Sequence, residues 1–148
     1  MNKEAEFCRL VVGDEKLAEK ICHQLKIDTR DANIAVCLGF LLKNQLVGGV
    51  VYSDLRENRD VWISIFSQNK RWCNRRLLKN IFEVAFDLWK CQRINALIDC
   101  DNFLSLKLAV GVGFKIEGVM RHYRDNGKDV FVLGMLKNEC KFLRKKEK

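Results

Sequence analysis

Residues 98–121 read IDCDNFLSLKLAVGVGFKIEGVMR. The stretch opens on the end of INALIDC (94–100), an almost wholly apolar run of the kind found in a strand at a sheet centre. Asn102 comes next and suits the N-cap of a short helix reaching about Gly111, because its side-chain carbonyl can accept from a first-turn amide. FKIEGVM (114–120) and DVFVLGML (129–136) then read as strands around Asp125-Asn126-Gly127, a strong turn signal. Strand, short helix and hairpin thus succeed one another without a linker.

Working outward toward the N-terminus, Arg75 to Lys90 predicts a longer helix, with Leu78, Ile81, Phe82, Ala85, Leu88 and Trp89 on one stripe. VWISIFS (61–67) is the strand before it. NIAVCLGFLL (33–42) and LVGGVVYSDL (46–55), joined by Lys43-Asn44-Gln45, predict a hairpin. Asp14 to Lys26 is an amphipathic helix in which Leu17, Ile21 and Leu25 recur every four residues, and EFCRLVV (6–12) is a first strand. The order β-α-β-β-β-α-β-α-β-β sets helices among a mostly antiparallel meander, which is an α+β (mixed α/β) class. One domain over 1–137 and a basic tail over 138–148 is the simplest division.

The chain has 148 residues, with 48% hydrophobic and 31% charged. A chain of that length buries roughly 68–70% of its unfolded surface and needs no metal or disulfide to fold. That composition excludes disorder as the main state. No run of about 20 apolar residues is present, so no transmembrane helix is expected. The mixed-charge start MNKEAEFCRL is no secretory signal. Seven cysteines, an odd number without CxxC spacing, beside two histidines, argue against zinc and for a reducing, cytoplasmic compartment.

The net charge is +8, and two segments carry all of it. Residues 70–93 hold seven basic and two acidic side chains, residues 137–148 hold six and two, and the remainder sums to −1. Such clusters point to anionic partners. The turn SQNKRWCNRR (67–76) leads a strand into a helix, where free backbone N–H groups and the positive end of the helix dipole favour phosphate. Lys70, Arg71, Arg75 and Arg76 add charged donors there. The plainer reading is a basic loop that solvates a helix start, and the tail KFLRKKEK reads most simply as a solvated terminus.

Asn102, Ser105, Gly113-Phe114, Glu117-Gly118 and Arg121, with Arg93-Ile94 before them and Asn126-Gly127-Lys128-Asp129 and Gly134-Met135-Leu136 after, form a pattern. It resembles the GNAT superfamily of N-acetyltransferases, nearest to the branch of ribosomal-protein N-terminal acetyltransferases and small phage-encoded acetyltransferases. The resemblance covers about 34–140. It implies a six- to seven-stranded, mostly antiparallel sheet flanked by helices, in which strands 61–67 and 94–100 splay around acetyl-CoA. It implies amide donors near Ile65 and Phe66 for the oxyanion, and a pyrophosphate loop formed by Lys70, Arg71, Trp72, Cys73, Asn74, Arg75 and Arg76. Asn102 would hold the pantetheine arm, and Ser105 would be the catalytic donor to the CoA sulfur.

The sequence departs from the family in two places. Both loop glycines are replaced, whichever way the loop is aligned, and Ala109 stands where many members have a tyrosine acid. For Ser105 and Asn102 the bland alternatives are solvation of a first helical turn and N-capping. No general base stands out: Asp60, Asp99, Asp101 and Glu117 are candidates by proximity, and a water-relayed base is equally compatible. His23 and His122 are weighted toward non-catalytic roles, and the three tryptophans toward packing, with Trp72 as the one placed to cover a nucleotide.

The leading expectation is an acetyl-CoA-dependent N-acetyltransferase acting on an amine of a protein or small molecule by direct attack in a ternary complex. No metal is needed. The protein would be a monomer or homodimer in the cytoplasm (a host cytoplasm if phage-encoded), away from membranes. The replaced glycines and missing tyrosine motivate a second expectation, a GNAT-like CoA- or partner-binding protein with weak catalysis. The basic segments motivate a third, a nucleic-acid-binding protein, which no aromatic-rich RNA motif or recognition helix supports.

Overall fold

The computed structural model describes residues 9–12, 15–25, 33–67 and 75–143. Its elements follow the expected order of strands and helices. The chain divides into two units, Met1–Leu55 with Trp62–Ile81, and Arg56–Val61 with Phe82–Lys148.

In the first unit β1 (Arg9–Val12) pairs antiparallel with β2 (Ile34–Leu42), and β2 with β3 (Gln45–Arg56). The strand order here is β1-β2-β3-β4, with β4 spanning Asp60–Ser67. The β2–β3 hairpin turns on Lys43 and Asn44, both left-handed (φ 52° and 63°). Two left-handed central residues make the turn whose twist matches antiparallel strands, so the expected connection tightens to two residues. Residues 37–40 and 48–52 are continuously buried, which is why these strands read as unbroken apolar runs.

Helix α1 (Glu15–Leu25) lays its predicted stripe on this hairpin. Ile21 and Cys22 form a buried cluster with Cys37 and Val51, and Leu17, Ala18 and Leu25 pack on it. Leu17 comes so close to β2 that a Cβ on Gly39 would sit 2.8 Å from its Cδ2. The fully buried Tyr52 of β3 donates its hydroxyl to the Ile81 carbonyl at 2.6 Å, and burial pushes its phenol pKa well above the ordinary value.

The helix expected over 75–90 is shorter. Helix α2 spans Arg75–Glu83, and Val84–Leu88 form a π-helical turn closed by Trp89 N–H to the Val84 carbonyl at 3.1 Å. One extra residue in a turn rotates every later residue of the helix by about 100°. The predicted stripe therefore fails at Leu88, which is 69% exposed, and omits Phe86, which is buried; Trp89 is half-buried, in keeping with a packing role.

In the second unit β5 (Arg93–Asp99) pairs antiparallel with β7 (Val130–Leu136), and β7 with β6 (Lys115–Met120), giving the order β5-β7-β6. Helix α3 (Phe103–Val112) packs against β6. It ends at Gly113 (φ 126°), where a Cβ would lie 2.5 Å from the Glu139 carbonyl oxygen. Phe82 packs between Phe114 and Phe142, at centroid distances of 6.3 and 6.2 Å. With Cys140 also buried, residues 138–143 are part of this unit's packing. The predicted Asp125-Asn126-Gly127 turn is present, with Gly127 at φ 84° and its N–H on the Arg124 carbonyl at 2.9 Å.

The tip of the β3–β4 hairpin also belongs to the second unit. The Arg59 carbonyl accepts from Gln92 N–H at 2.8 Å and from Arg93 N–H at 3.2 Å, and Asn58 N–H donates to the Trp89 carbonyl at 3.0 Å. Seven strands are present among the described residues, every pairing described within the units is antiparallel, and the class is mixed α+β as expected.

Candidate functional site

The predicted site residues fall in both units. In the first, β4 carries Ile65, half-buried, and Phe66. Lys70, Arg71, Trp72, Cys73 and Asn74 lie outside the described residues. Arg75 and Arg76 open α2 and are exposed, while Leu77 and Leu78 behind them are buried. The first turn of α2 holds no acidic side chain. Cations at the positive end of a helix dipole disfavour that helix by about 0.3–1 kcal/mol each. The two arginines bring guanidinium N–H donors to about the place where backbone donors also converge.

In the second unit Asn102 caps α3. Its Oδ1 accepts from Ser105 N–H at 3.2 Å, with a non-helical backbone (φ −90°, ψ 75°). The bland reading of Asn102 is thus satisfied. The same bond fixes Ser105 in the first turn, where it is half-buried and its hydroxyl has no partner among the described residues. At 100° per residue Ser105 shares one half of α3 with Leu106, Ala109 and Val112, all buried or half-buried.

The four candidate carboxylates are all engaged. Asp99 accepts from Arg124 Nε at 2.8 Å, and Asp101 pairs with Lys128 Nζ at 2.9 Å, which holds the Asp101 carboxyl below the usual range. Asp60 is buried. It accepts from Arg56 Nε at 2.6 Å and from Asn95 Nδ2 at 2.9 Å. The hydrogen bond from Arg56 outweighs the burial that opposes it and keeps this carboxyl low and ionised. Asn95 Oδ1 in turn accepts from Arg93 Nε at 2.6 Å, and Arg93 Nη2 reaches Glu117 Oε1 at 2.5 Å. The last pair crosses β7 over Gly134, where a Cβ would overlap both the guanidinium and the carboxylate.

Sequence reading missed this five-residue chain. Its only local signals are the Arg56-to-Asp60 spacing and a glycine inside β7. Arg93, Glu117 and Gly134, which contribute to the family pattern, hold the sheet here. His23 and His122 are exposed, and His122 N–H is tied to Asp129 Oδ1 at 2.8 Å. Cys22, Cys37, Cys91 and Cys140 are buried thiols whose pKa values burial raises, that of Cys37 to about 11, so they are poor nucleophiles at neutral pH. No group of three or more His, Cys, Asp or Glu side chains suited to a metal occurs among the described residues. Nor is any helix there long and apolar enough to cross a membrane.

No protein-family model matches the sequence, and no curated protein matches it. Solved structures do. A ribosomal-protein-S5-alanine acetyltransferase from Vibrio fischeri superposes with a TM-score of 0.63 at 20% identity, over 86% of this chain and 72% of that one. A chimera of the spermidine N-acetyltransferase SpeG from Vibrio cholerae gives 0.66 at 14% identity, over 93% and 99%. The fold is the GNAT fold. A third GNAT-like structure, RimJ from Mycobacterium smegmatis in complex with CoA-disulfide, gives 0.61 at 19% identity over 90% of this chain and 71% of its own. At these identities the likeness speaks for the fold, and the GNAT pattern of residues 93–136 lies on β5, α3, β6 and β7 of that fold.

Proposed function

We propose that the chain is an acetyl-CoA-dependent N-acetyltransferase, in which the amine of a protein or small molecule attacks the thioester directly in a ternary complex. The observation that carries this reading is the capped first turn of α3. There the Asn102 side-chain carbonyl accepts from the Ser105 amide, and the Ser105 hydroxyl, on a half-buried face, has no partner among the described residues. The similar structures support it, one of them being a CoA complex and others being named for amine acceptors. An alanine of a protein and a polyamine, the two kinds those names give, are the acceptor classes to try first.

The residues present fit the donor. Arg75 and Arg76, with the amides that begin α2, would hold its phosphates, together with Lys70, Arg71, Trp72, Cys73 and Asn74 of the preceding loop. Arginine donors offset the closer backbone approach that glycines would have allowed. The Asn102 side-chain amide retains its N–H groups for the pantetheine arm, because capping uses only the oxygen. Acetyl-CoA supplies an activated acyl group and a thiolate leaving group. Backbone N–H groups of Ile65 and Phe66 would receive the negative charge that develops on the carbonyl oxygen. Ser105 would donate its hydroxyl proton toward the departing sulfur. Asp60, Asp99, Asp101 and Glu117 are each held by a cation, so the amine proton leaves through water rather than directly to one of them. No metal takes part, and a cytoplasmic setting fits both the donor and the free thiols.

A second reading, CoA binding with little catalysis, is favoured by Ala109, half-buried at the place of the family's tyrosine. Calorimetric titration with acetyl-CoA should show saturable binding at moderate salt, and its absence rejects both readings. Product analysis with amino-terminal peptides and polyamines separates them. Ser105→Ala should lower kcat by about 10²–10⁴-fold, the usual worth of a positioned proton donor, with CoA affinity retained. Full turnover in that variant would remove Ser105 from the mechanism.

A further inference from the structure

Helix α1 and strand β2 each turn one cysteine into the core of the first unit. Cys22 and Cys37 are 1% and 4% exposed, and with Ile21 and Val51 they make the buried cluster on which Leu17, Ala18 and Leu25 pack. Within that cluster the Cys37 thiol donates a hydrogen bond to the Cys22 sulfur. Cys91 and Cys140 are buried as well, and neither is bonded to another thiol among the described residues.

A buried cysteine on its own behaves as a small apolar group. Two on facing elements, with their sulfurs bonded to each other, hold a chemistry that no alanine or valine pair has. From bonded thiols to the ~2.05 Å of a disulfide is a short approach. The bond also has a direction. Donation from Cys37 favours the thiolate of Cys22 and disfavours that of Cys37. Cys22 is thus the sulfur to react first, and Cys37 stands beside it to resolve the product. Burial opposes both thiolates, so the pair is inert while α1 is seated. An 11-residue helix packed on one face is an element that opens locally, and its opening brings water and oxidant to Cys22.

We propose that Cys22 and Cys37 are a reversible redox pair, which peroxide converts to a disulfide that fastens α1 to β2. The Cys22 sulfur attacks one oxygen of hydrogen peroxide and the O–O bond breaks. Hydroxide leaves and takes the thiol proton as water, and Cys22 becomes a sulfenic acid. The Cys37 sulfur then attacks the Cys22 sulfur, the S–O bond breaks, and a second water leaves with the Cys37 proton. The two thiols lose two electrons and one peroxide is reduced to two waters. Small-molecule thiols reverse the step and are themselves oxidised to a disulfide. A transient bond of this kind is the form that disulfides take in a reducing compartment. It closes the loop from residue 22 to residue 37, which restrains the unfolded chain and holds α1 down. None of the residues proposed for acetyl transfer lies on α1 or β2, so this pair and that chemistry are tested separately.

The reduced full chain is treated with equimolar hydrogen peroxide, its remaining thiols are alkylated with iodoacetamide in urea, and the tryptic peptides are weighed. Peptides 21–26 (ICHQLK) and 31–43 (DANIAVCLGFLLK) should appear joined, lighter than their sum by the two thiol hydrogens, and dithiothreitol should part them. Amide exchange in α1 should slow about tenfold in the joined chain. In Cys37→Ala the exchange of α1 should be the same with and without peroxide. If that variant does not fold, the peptide map of the wild-type chain decides alone. Peptides 21–26 and 31–43 recovered only apart, alkylated or oxidised beyond sulfenic acid, overturn the proposal. So does either peptide joined to a different cysteine, or a joined chain whose α1 exchanges as fast as before.

Discussion

Among the described residues of the first unit the large apolar side chains are buried or half-buried. Ile21, Phe40, Val50, Val51 and Tyr52 are fully buried, and the exposed positions of α2 carry Arg75, Arg76 and Lys79. In the second unit Phe82, Phe86, Ile94 and Leu133 are just as buried, yet α3 and β6 leave Phe103, Leu104, Ile116 and Val119 outside, while a carboxylate, Asp60, is inside. The first unit is held chiefly by apolar burial around the β2–β3 hairpin. The second adds a chain of polar bonds, Arg56–Asp60–Asn95–Arg93–Glu117, that ties a hairpin tip to β5 and β6. A unit that uses polar bonds for its internal order can spend apolar residues on its surface.

That contrast can be broken by substitution. The largest effect should come from the first unit's core. Phe40→Ala should cost about 3–5 kcal/mol in urea unfolding, and a loss under 1 kcal/mol would show that the hairpin is not where burial counts. In the second unit, Asp60→Asn should cost about 1–3 kcal/mol by removing a charge-assisted partner from Arg56 while leaving an oxygen for Asn95. It should also change the acid limb. The Asp60 carboxyl is held below its unfolded value near 3.9, so its contribution is complete above that value and is lost as pH falls through the lower folded value. Wild type should therefore lose stability over that interval more steeply than Asp60→Asn. Equal slopes would mean that the polar chain contributes nothing. The smallest effect should be at the cap: Asn102→Ala should cost about 0.5–2 kcal/mol, read from the same denaturation curves. If the variant keeps full stability, the cap is dispensable and Asn102 is present for its other role.

Much of this was legible in the chain itself. Period-four apolar residues placed α1, continuous apolar runs placed β2, β3 and β5, and the Asn102 cap and Asp125-Asn126-Gly127 turn stood where the local chemistry put them. Two kinds of feature were hidden from sequence. The π turn keeps the composition of an α-helix and differs only by one carbonyl skipped, so a fixed 3.6 period put Leu88, which is exposed, on the buried stripe and left out Phe86, which is buried. The burial of Asp60 depends on Asn95, 35 residues away. By local pattern Asp60 is an acidic residue before an apolar strand, which reads as a turn charge. Of the proposed site, the Asn102–Ser105 capping bond was legible because one helical turn joins the two residues.

The hairpin tip at residues 56–61 has a consequence for how the chain is made. It sits in the second unit, although the residues on both sides of it belong to the first. Neither unit is therefore a continuous length of polypeptide, and no single cut releases either one whole. As the chain leaves the ribosome, the first unit must wait for residues through Ile81. The tip must wait longer still, until Gln92 and Arg93 emerge to take the Arg59 carbonyl and Asn95 to reach Asp60. Phe142, made later again, closes on Phe82. Synthesis through Phe142 thus precedes a finished second unit, and limited proteolysis between the two segments of either unit should not leave a stable fragment.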